Sequence, residues 1–354
     1  CLVKSAMVLF LASCTGVKVQ HSTNCDASIV KPWNNRRRNS VATRVFTAAP
    51  HKQADTHLKT FKEASRTTDF TVSSEIFLKP ETTAAMIREA AELLRGHVSG
   101  VLVTDNQFGN VHMSTLAAAS LLIANGMDPI VQLACRNRNR IALLSELLGA
   151  AALGVTSLIL IRGTRVPDGF NPRPKAVMDM DAAELIATAS KIKNDDRLQG
   201  LPDFFIGGLV TPHAPKAGWN PEKLRKKADA GAQFVQTHVC MSIPLLRTYM
   251  KHLVASGLLR RLSVFVSLAI PGSADDARWL CENRPNIHIP DEIIRRIGQA
   301  ADAEQESVRI CAEQLRELAE IPGVAGAHLV ATRNLATIPA AIEASGVCKE
   351  AATS

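Results

Sequence analysis

No stretch of the 354-residue chain holds eighteen consecutive apolar residues, so no membrane-spanning helix is expected. No two of its eight cysteines stand in a CxxC pair, and their spacing is irregular. That removes the sequence support for a zinc framework or a disulfide framework; the cysteines read as reduced, mostly buried thiols. A reducing compartment, the cytoplasm, is the default location. The folded part also lacks net charge. Residues 1–60 hold nine Lys/Arg against Asp26 and Asp55, which accounts for +7 of the formal +8. The remainder is nearly neutral, so neither a nucleic-acid nor an anionic-membrane partner is expected outside the first sixty residues.

Those first residues carry conflicting signals. AMVLFLASC is a short apolar core ending in a lipobox-like LASC at Leu11–Cys14, while NNRRRNSVATRVF is Arg/Ser-rich and acid-poor, like an organelle transit segment. We read residues 1–66 as a leader or disordered extension outside the mature fold, and residues 67–348 as one catalytic domain.

From Asp69 onward, strand-like apolar runs alternate with helical patterns. The candidate strands are TVSSEIF (71–77), GVLVTD (100–105), PIVQLA (129–134), SLILIRG (157–163), DFFIGGLV (203–210), FVQTHV (234–239), SVFVSLAI (263–270) and GAHLVAT (326–332). Helices are expected from Ala84 to Leu94, from Arg140 to Leu153, and from an Asn220 cap with Pro221 at the first helical position to near Gly231. Eight strand-helix units argue for an α/β fold of the (β/α)8 TIM-barrel type, with a doubly wound open sheet as the alternative. In a barrel the site lies where the C-terminal strand ends meet their following loops. The polar groups fall there: Thr104-Asp105-Asn106, Gln132 to Arg136, Arg162-Gly163-Thr164, Thr211-Pro212-His213, Gln236-Thr237-His238 and Thr332-Arg333-Asn334.

Glu75 is the one charged residue of the first strand. Between apolar walls a carboxyl loses hydration and its pKa rises, which suits a general acid; a Glu neutralised by a neighbouring Arg or Lys is the other reading. In FVQTHVC the period of two puts Gln236, His238 and Cys240 on one face. His238 and Cys240 could be two metal ligands, but no third is evident, so no metal is assigned. The run CRNRNR, Cys135 to Arg140, is either a phosphate-binding loop or a solvated one. Lys226-Lys227 reads as an anion clamp or as a complement to a helix C-terminus.

In order and spacing, these segments resemble methylenetetrahydrofolate reductases of the short, single-domain prokaryotic type, from about Val72 to Ser345. SSEIFLKP resembles the family's SFEFFPP-like opening strand, VQLACRNRNRIALLSELLGAAALGV its HLTC-type strand and helix, and SLILIRG its strand ending in LRGD. VMDMDAAELI resembles an FDLDS-like segment, and KKADAGAQFVQTHV the K-x-DAGA-x-F-x-x-TQ entry. The resemblance implies a flavoprotein that reduces 5,10-methylenetetrahydrofolate to 5-methyltetrahydrofolate, with FAD carrying hydride from NADH or NADPH. It makes Glu75 the general acid and puts Thr104, Gln132, Arg162, Gly163, Thr164, Lys226 and Lys227 on the cofactor. It puts Gln236 and His238 on a folate substrate, and leaves room for a homo-oligomer.

Two positions depart from the pattern in charge. The LRGD aspartate is Thr164 here, and the TQ glutamine is His238. Gln132 also stands where the family has His. A neutral Thr164 should make a flavin easier to reduce, and His238 could make the pterin contact pH-dependent.

Overall fold

The computed structural model describes residues 59–347 apart from 167–168, 195–200, 217 and 285. The leader reading for residues 1–58 lies outside the described residues. The elements run α1 (Phe61–Thr67), β1 (Thr71–Ile76), α2 (Ala84–Leu94), β2 (Gly100–Val103), α3 (Thr115–Ala124), β3 (Pro129–Ala134), α4 (Arg140–Ala152) and β4 (Ser157–Ile161). They continue with α5 (Ala182–Lys191), β5 (Phe205–Val210), α6 (Glu222–Ala230), β6 (Phe234–Thr237), α7 (Ile243–Ala255) and β7 (Ser263–Ile270), and end with α8 (Ala274–Asn283), α9 (Asp291–Gln299), α10 (Ala303–Ala319), β8 (Val324–Ala331) and α11 (Thr337–Ser345).

The eight strands pair in parallel, in sequence order, and β8 closes onto β1. This is the (β/α)8 barrel expected from the strand count; the open-sheet alternative is excluded by the β1–β8 ladder. Helix starts follow local chemistry: the side chains of Thr83, Ser114, Asn139, Asp181, Ser273 and Asp302 each accept a bond from a backbone N–H of the first turn. α6 departs by one position, since Pro221 is its cap residue and the helix begins at Glu222; Gly231 closes it with φ +112.

Alternation along each strand divides the core in two. Outward side chains pack under the helices in one large apolar shell. Inward ones, Leu102, Ile130, Ile159, Phe205, Phe234 and Phe265, fill the lower barrel together with Phe61 from α1. Phe61 is 1% exposed, with ring centroids 4.9–5.9 Å from Phe205, Phe234 and Phe265. Its backbone N donates to Asp128 Oδ2 at 2.7 Å. Phe61, which the sequence reading placed in the leader, is therefore built into the barrel floor. Gly207 makes room for this packing, because a Cβ there would lie 2.2 Å from the Phe234 ring. With the floor sealed by aromatic rings, ligand space is left at the other end.

Candidate functional site

The C-terminal strand ends enclose a cavity of about 130 Å³ lined by Glu75, Thr104, Gln132, Gly163, Thr164, Gln236 and His238, among others. Seven of the ten residues that the resemblance assigns to the site thus meet in one space. Gln132, 6% exposed, accepts from the Asp105 backbone N–H at 3.1 Å, and Ser267 donates its backbone N–H to Thr237 Oγ1 at 2.9 Å and its hydroxyl to the Thr237 carbonyl at 2.6 Å, which ties β6 to β7 beside Gln236.

Glu75 lies at the centre of a network that sequence reasoning missed. His328 of β8 places Nδ1 3.0 Å from Ser73 Oγ and Nε2 3.6 Å from Glu75 Oε2. Arg284, the C-cap residue of α8, brings Nη1 to 3.5 Å from Glu75 Oε1. Burial alone would raise the Glu75 pKa and is the largest single influence. His328 and Arg284 together outweigh it and hold the carboxyl below its ordinary range. The expected upward shift is thus overturned, and the neighbouring-cation reading is the one the structure supports. His328 carried a usable signal, since the period of two in β8 turns it inward in register with Ser73. Arg284 carried none, because it reaches the cavity from a helix end remote from the strand ends.

His238 is half-buried; burial, and then Arg284, push its pKa down. It also lines a second cavity with Thr211, His213, Trp219, Lys227 and Tyr249. There the rings of His213, Trp219 and Tyr249 lie 5.4–5.7 Å apart, and the buried Tyr249 Oη has no hydrogen-bond partner. Lys227 is half-buried beside this wall, and burial lowers its pKa, with Lys223 adding to the effect. Lys226 points elsewhere: it is exposed and paired with Glu222 at 3.1 Å. Its sequence-stated cofactor contact does not converge with the rest, because the i,i+4 pair holds it on the outer helix face. Cys240 also leaves the site; β6 ends at Thr237, and Cys240 packs in the outer apolar shell.

Arg162 is exposed and lines a groove with Gly163, Arg165, Val166 and Arg173 that adjoins the cavity at Gly163. Gly163 has φ +86, and a Cβ there would stand 2.8 Å from Arg136 Cβ, so this corner admits only glycine without rearrangement. The CRNRNR run buries Cys135 and Arg136 and leaves Asn137, Asn139 and Arg140 exposed. Arg138 Nη1 pairs with Asp105 Oδ2 at 2.5 Å and its Nε with Glu146 at 3.4 Å, while Arg140 clasps Asp179 at 3.1 Å. Arg136 alone of the three lines the cavity. The reading of the run as a phosphate loop therefore fails for Arg138 and Arg140, whose carboxylate partners are internal. Thr332, Arg333 and Asn334 stay outside as well, with Arg333 held by Asp276 at 2.6 Å. Among the described residues, no group of three or more His, Cys, Asp or Glu could hold a metal ion.

Comparison with known proteins adds a family. Residues 60–346 match the family described as methylenetetrahydrofolate reductase. Among solved structures, an uncharacterized protein from Clostridium thermocellum, described as binding two copies of 5-methyl-5,6,7,8-tetrahydrofolic acid, is 15% identical with a TM-score of 0.56. The match covers 79% of this chain and 96% of that one. A long-chain alkane monooxygenase, LadA, is 12% identical with a TM-score of 0.50, over 78% of this chain and 90% of that one. At these identities both likenesses concern the barrel fold. A search of curated proteins returns no match.

Proposed function

Because the chain belongs to the methylenetetrahydrofolate reductase family over residues 60–346, we propose that it is a flavin-dependent oxidoreductase converting 5,10-methylenetetrahydrofolate to 5-methyltetrahydrofolate with NADH or NADPH as hydride donor. The observation that carries this reading is the placement of Glu75 in one cavity with Thr104, Gln132, Gly163, Thr164, Gln236 and His238. The folate-binding description of the Clostridium thermocellum barrel supports the same substrate class.

The residues present fit FAD. Gly163 keeps one wall flat where a side chain would intrude, and Gln132, fixed by Asp105, offers an amide edge. Lys227 and Arg162 supply cations in the two adjoining spaces for phosphates. The aromatic wall of His213, Trp219 and Tyr249 suits a flat ring. A bound flavin would supply hydride transfer, which no side chain can. The chain's own residues orient the folate and exclude water, and Glu75 exchanges a proton with the folate nitrogen at Oε1. Ser73 holds His328 through Nδ1, which keeps Nε2 turned to Glu75.

A folate-binding barrel working in another one-carbon or demethylation pathway is the second reading, favoured by one observation. Thr164 is neutral and bonded to the cationic Arg136, a local charge that assists flavin reduction rather than reoxidation. A non-catalytic folate- or flavin-binding subunit is a third outcome of the same test. The purified protein should absorb as a flavin, bleach with NADH or NADPH, and recover colour on adding 5,10-methylenetetrahydrofolate. Bleaching without recovery would transfer the assignment to the second reading, and a colourless protein that gains no thermal stability from FAD to the third.

No helix of the described residues is long and apolar enough to cross a membrane, and Cys135, Cys240, Cys281 and Cys311 are free. A cytoplasmic location is proposed, to be checked by fractionation, and a homo-oligomer, to be checked by light scattering.

A further inference from the structure

Arg284 enters the cavity from outside the set of strand ends, and its side chain is only 12% exposed. Three neighbours seat it. Nη1 stands 3.5 Å from Glu75 Oε1, Nη2 lies 3.4 Å from Gln107 Oε1, and the guanidinium carbon lies 5.7 Å from the Phe77 ring centroid. Phe77 follows Glu75 by two residues at the end of β1. One short segment therefore offers the guanidinium both a ring face to lie over and a charge to meet.

Glu75 is 7% exposed, yet both of its close contacts are too long for strong hydrogen bonds, and Oε1 has no hydrogen-bond partner. The titratable and charged groups around the cavity are His328 from β8, Arg284 from the end of α8, His238 after β6, and Asp105 and Arg136 on the loops after β2 and β3. Asp105 is committed to Arg138, and Arg136 bonds Thr164, Asn106 and Asn137. Among the described residues, the permanent cation within 4 Å of Glu75 is therefore Arg284. A buried carboxylate with a fixed cation on one side keeps acceptor lone pairs for a donor on the other.

We propose that Arg284 is a positioning residue that keeps the Glu75 carboxyl ionised and turned to the cavity, so that the ligand group meeting Glu75 is an N–H or a protonated nitrogen that donates to it. In the direction that forms 5-methyltetrahydrofolate, the O–H bond of Glu75 breaks, an N–H bond forms on the electron pair of the ligand nitrogen, and the carboxylate left behind is the form that Arg284 holds and the product N–H meets; in the reverse direction that N–H bond breaks and the O–H bond at Glu75 re-forms. The lowered Glu75 pKa agrees with this arrangement. The identity of the ligand rests on the folate reading; the Arg284–Glu75 relationship does not.

The test is a ¹³C NMR titration of the side-chain carboxyls in the ligand-free full chain, with the Glu75 signal assigned through Glu75→Gln. A cation at this range moves a carboxyl midpoint by about 1–3 pH units, so Arg284→Met should raise the Glu75 midpoint by at least about one unit, while Arg284→Lys stays nearer the wild type. Arg284→Gln, which keeps a donor for Gln107 and drops the charge, should give the same rise and replaces Arg284→Met if that variant fails to fold. Calorimetric binding of 5-methyltetrahydrofolate between about pH 6 and 8 should weaken toward acid in Arg284→Met more than in the wild type. An unmoved midpoint in both charge-removing variants overturns the proposal. A raised midpoint with no folate binding in the wild type at any pH upholds Arg284 and overturns the folate reading instead.

Discussion

Arg136 Nη1 lies 3.3 Å from both the hydroxyl and the carbonyl oxygen of Thr164, so the position that bears an aspartate in the family's LRGD pattern here carries a neutral side chain bonded to a buried cation. Every hydrogen-bond partner of Arg136 is uncharged: Thr164, the Asn106 carbonyl and the Asn137 side chain. Burial, with Arg138 adding to it, lowers its pKa against the opposing charge of Asp105. Arg136 thus places a cation directly beside the Thr164 side chain, with Asp105 also on the cavity wall.

Thr164→Asp should lower the midpoint potential of bound flavin, because a carboxylate disfavours added negative charge, and Arg136 should blunt the drop by pairing with it. Each tenfold change in relative binding of the reduced and oxidised forms is about 30 mV for a two-electron couple. A drop of that order is expected for the single change and a larger one when Arg136→Gln is added, alongside better reoxidation by 5,10-methylenetetrahydrofolate. Dye-coupled potentiometry measures it; a potential that does not move in either variant would discard the electrostatic account of Thr164.

Phe61→Ala should destabilise the barrel by about 3–5 kcal/mol, the usual range for emptying a buried aromatic site. The ring fills the floor between Phe205, Phe234 and Phe265, and no side chain stands ready to replace it in that closed layer. Denaturant melts of the full chain provide the number. A loss below about 1 kcal/mol would mean that α1 is a dispensable attachment, as the reading of residues 1–66 as leader supposed.

The eight strands were legible because buried parallel strands are short apolar runs bounded by turns, and all eight predicted runs overlap the observed ones. Their ends brought Thr104, Gln132, Gly163, Thr164, Gln236 and His238 to one cavity, since position in a barrel follows strand polarity. What escaped was set by tertiary approach. Arg284 reaches Glu75 only because α8 ends over the mouth, and no local pattern in CENRPN encodes that. Phe61 escaped because a lone aromatic in a Lys/Thr-rich run has no periodicity to reveal burial. Cys240 was misplaced by extending a period of two beyond the end of β6.

Asp128 should make the protein less stable as pH rises through the weakly acid range. Its carboxyl accepts the Phe61 N–H, but burial, the largest influence, with Glu63 adding to it, lifts its pKa to about 6 from 3.8. A carboxyl whose folded pKa is raised binds more protons folded than unfolded between those two values. Stability falls with rising pH across that window and is level above it. Two pH units correspond to at most about 3 kcal/mol, less where water still reaches the group. Asp128→Asn should flatten this part of the profile; thermal melts from about pH 4 to 7 in which the variant and the wild type run parallel would refute the assignment.

Glu75→Gln should stop folate-dependent reoxidation while leaving flavin bleaching by NADH or NADPH in place, because the amide keeps the shape of the side chain and cannot take or give the proton. It should also change the acid limb of stability in the sense opposite to Asp128. The folded pKa of Glu75 lies below its ordinary 4.5, so its contribution is fully present above about that pH and is lost as pH falls through the folded value. With Gln at position 75, the Glu75–Arg284 ion pair is lost while Arg284 keeps its charge beside Phe77, and removing one partner of a buried pair costs about 3–5 kcal/mol. The variant should therefore melt earlier than the wild type at neutral pH and approach it toward the acid end. Stopped-flow bleaching and reoxidation, with thermal melts at matched pH, separate the two effects: reoxidation retained at more than about a tenth of the wild-type rate, a barrier change under about 1.4 kcal/mol, would remove Glu75 from the proton-transfer role.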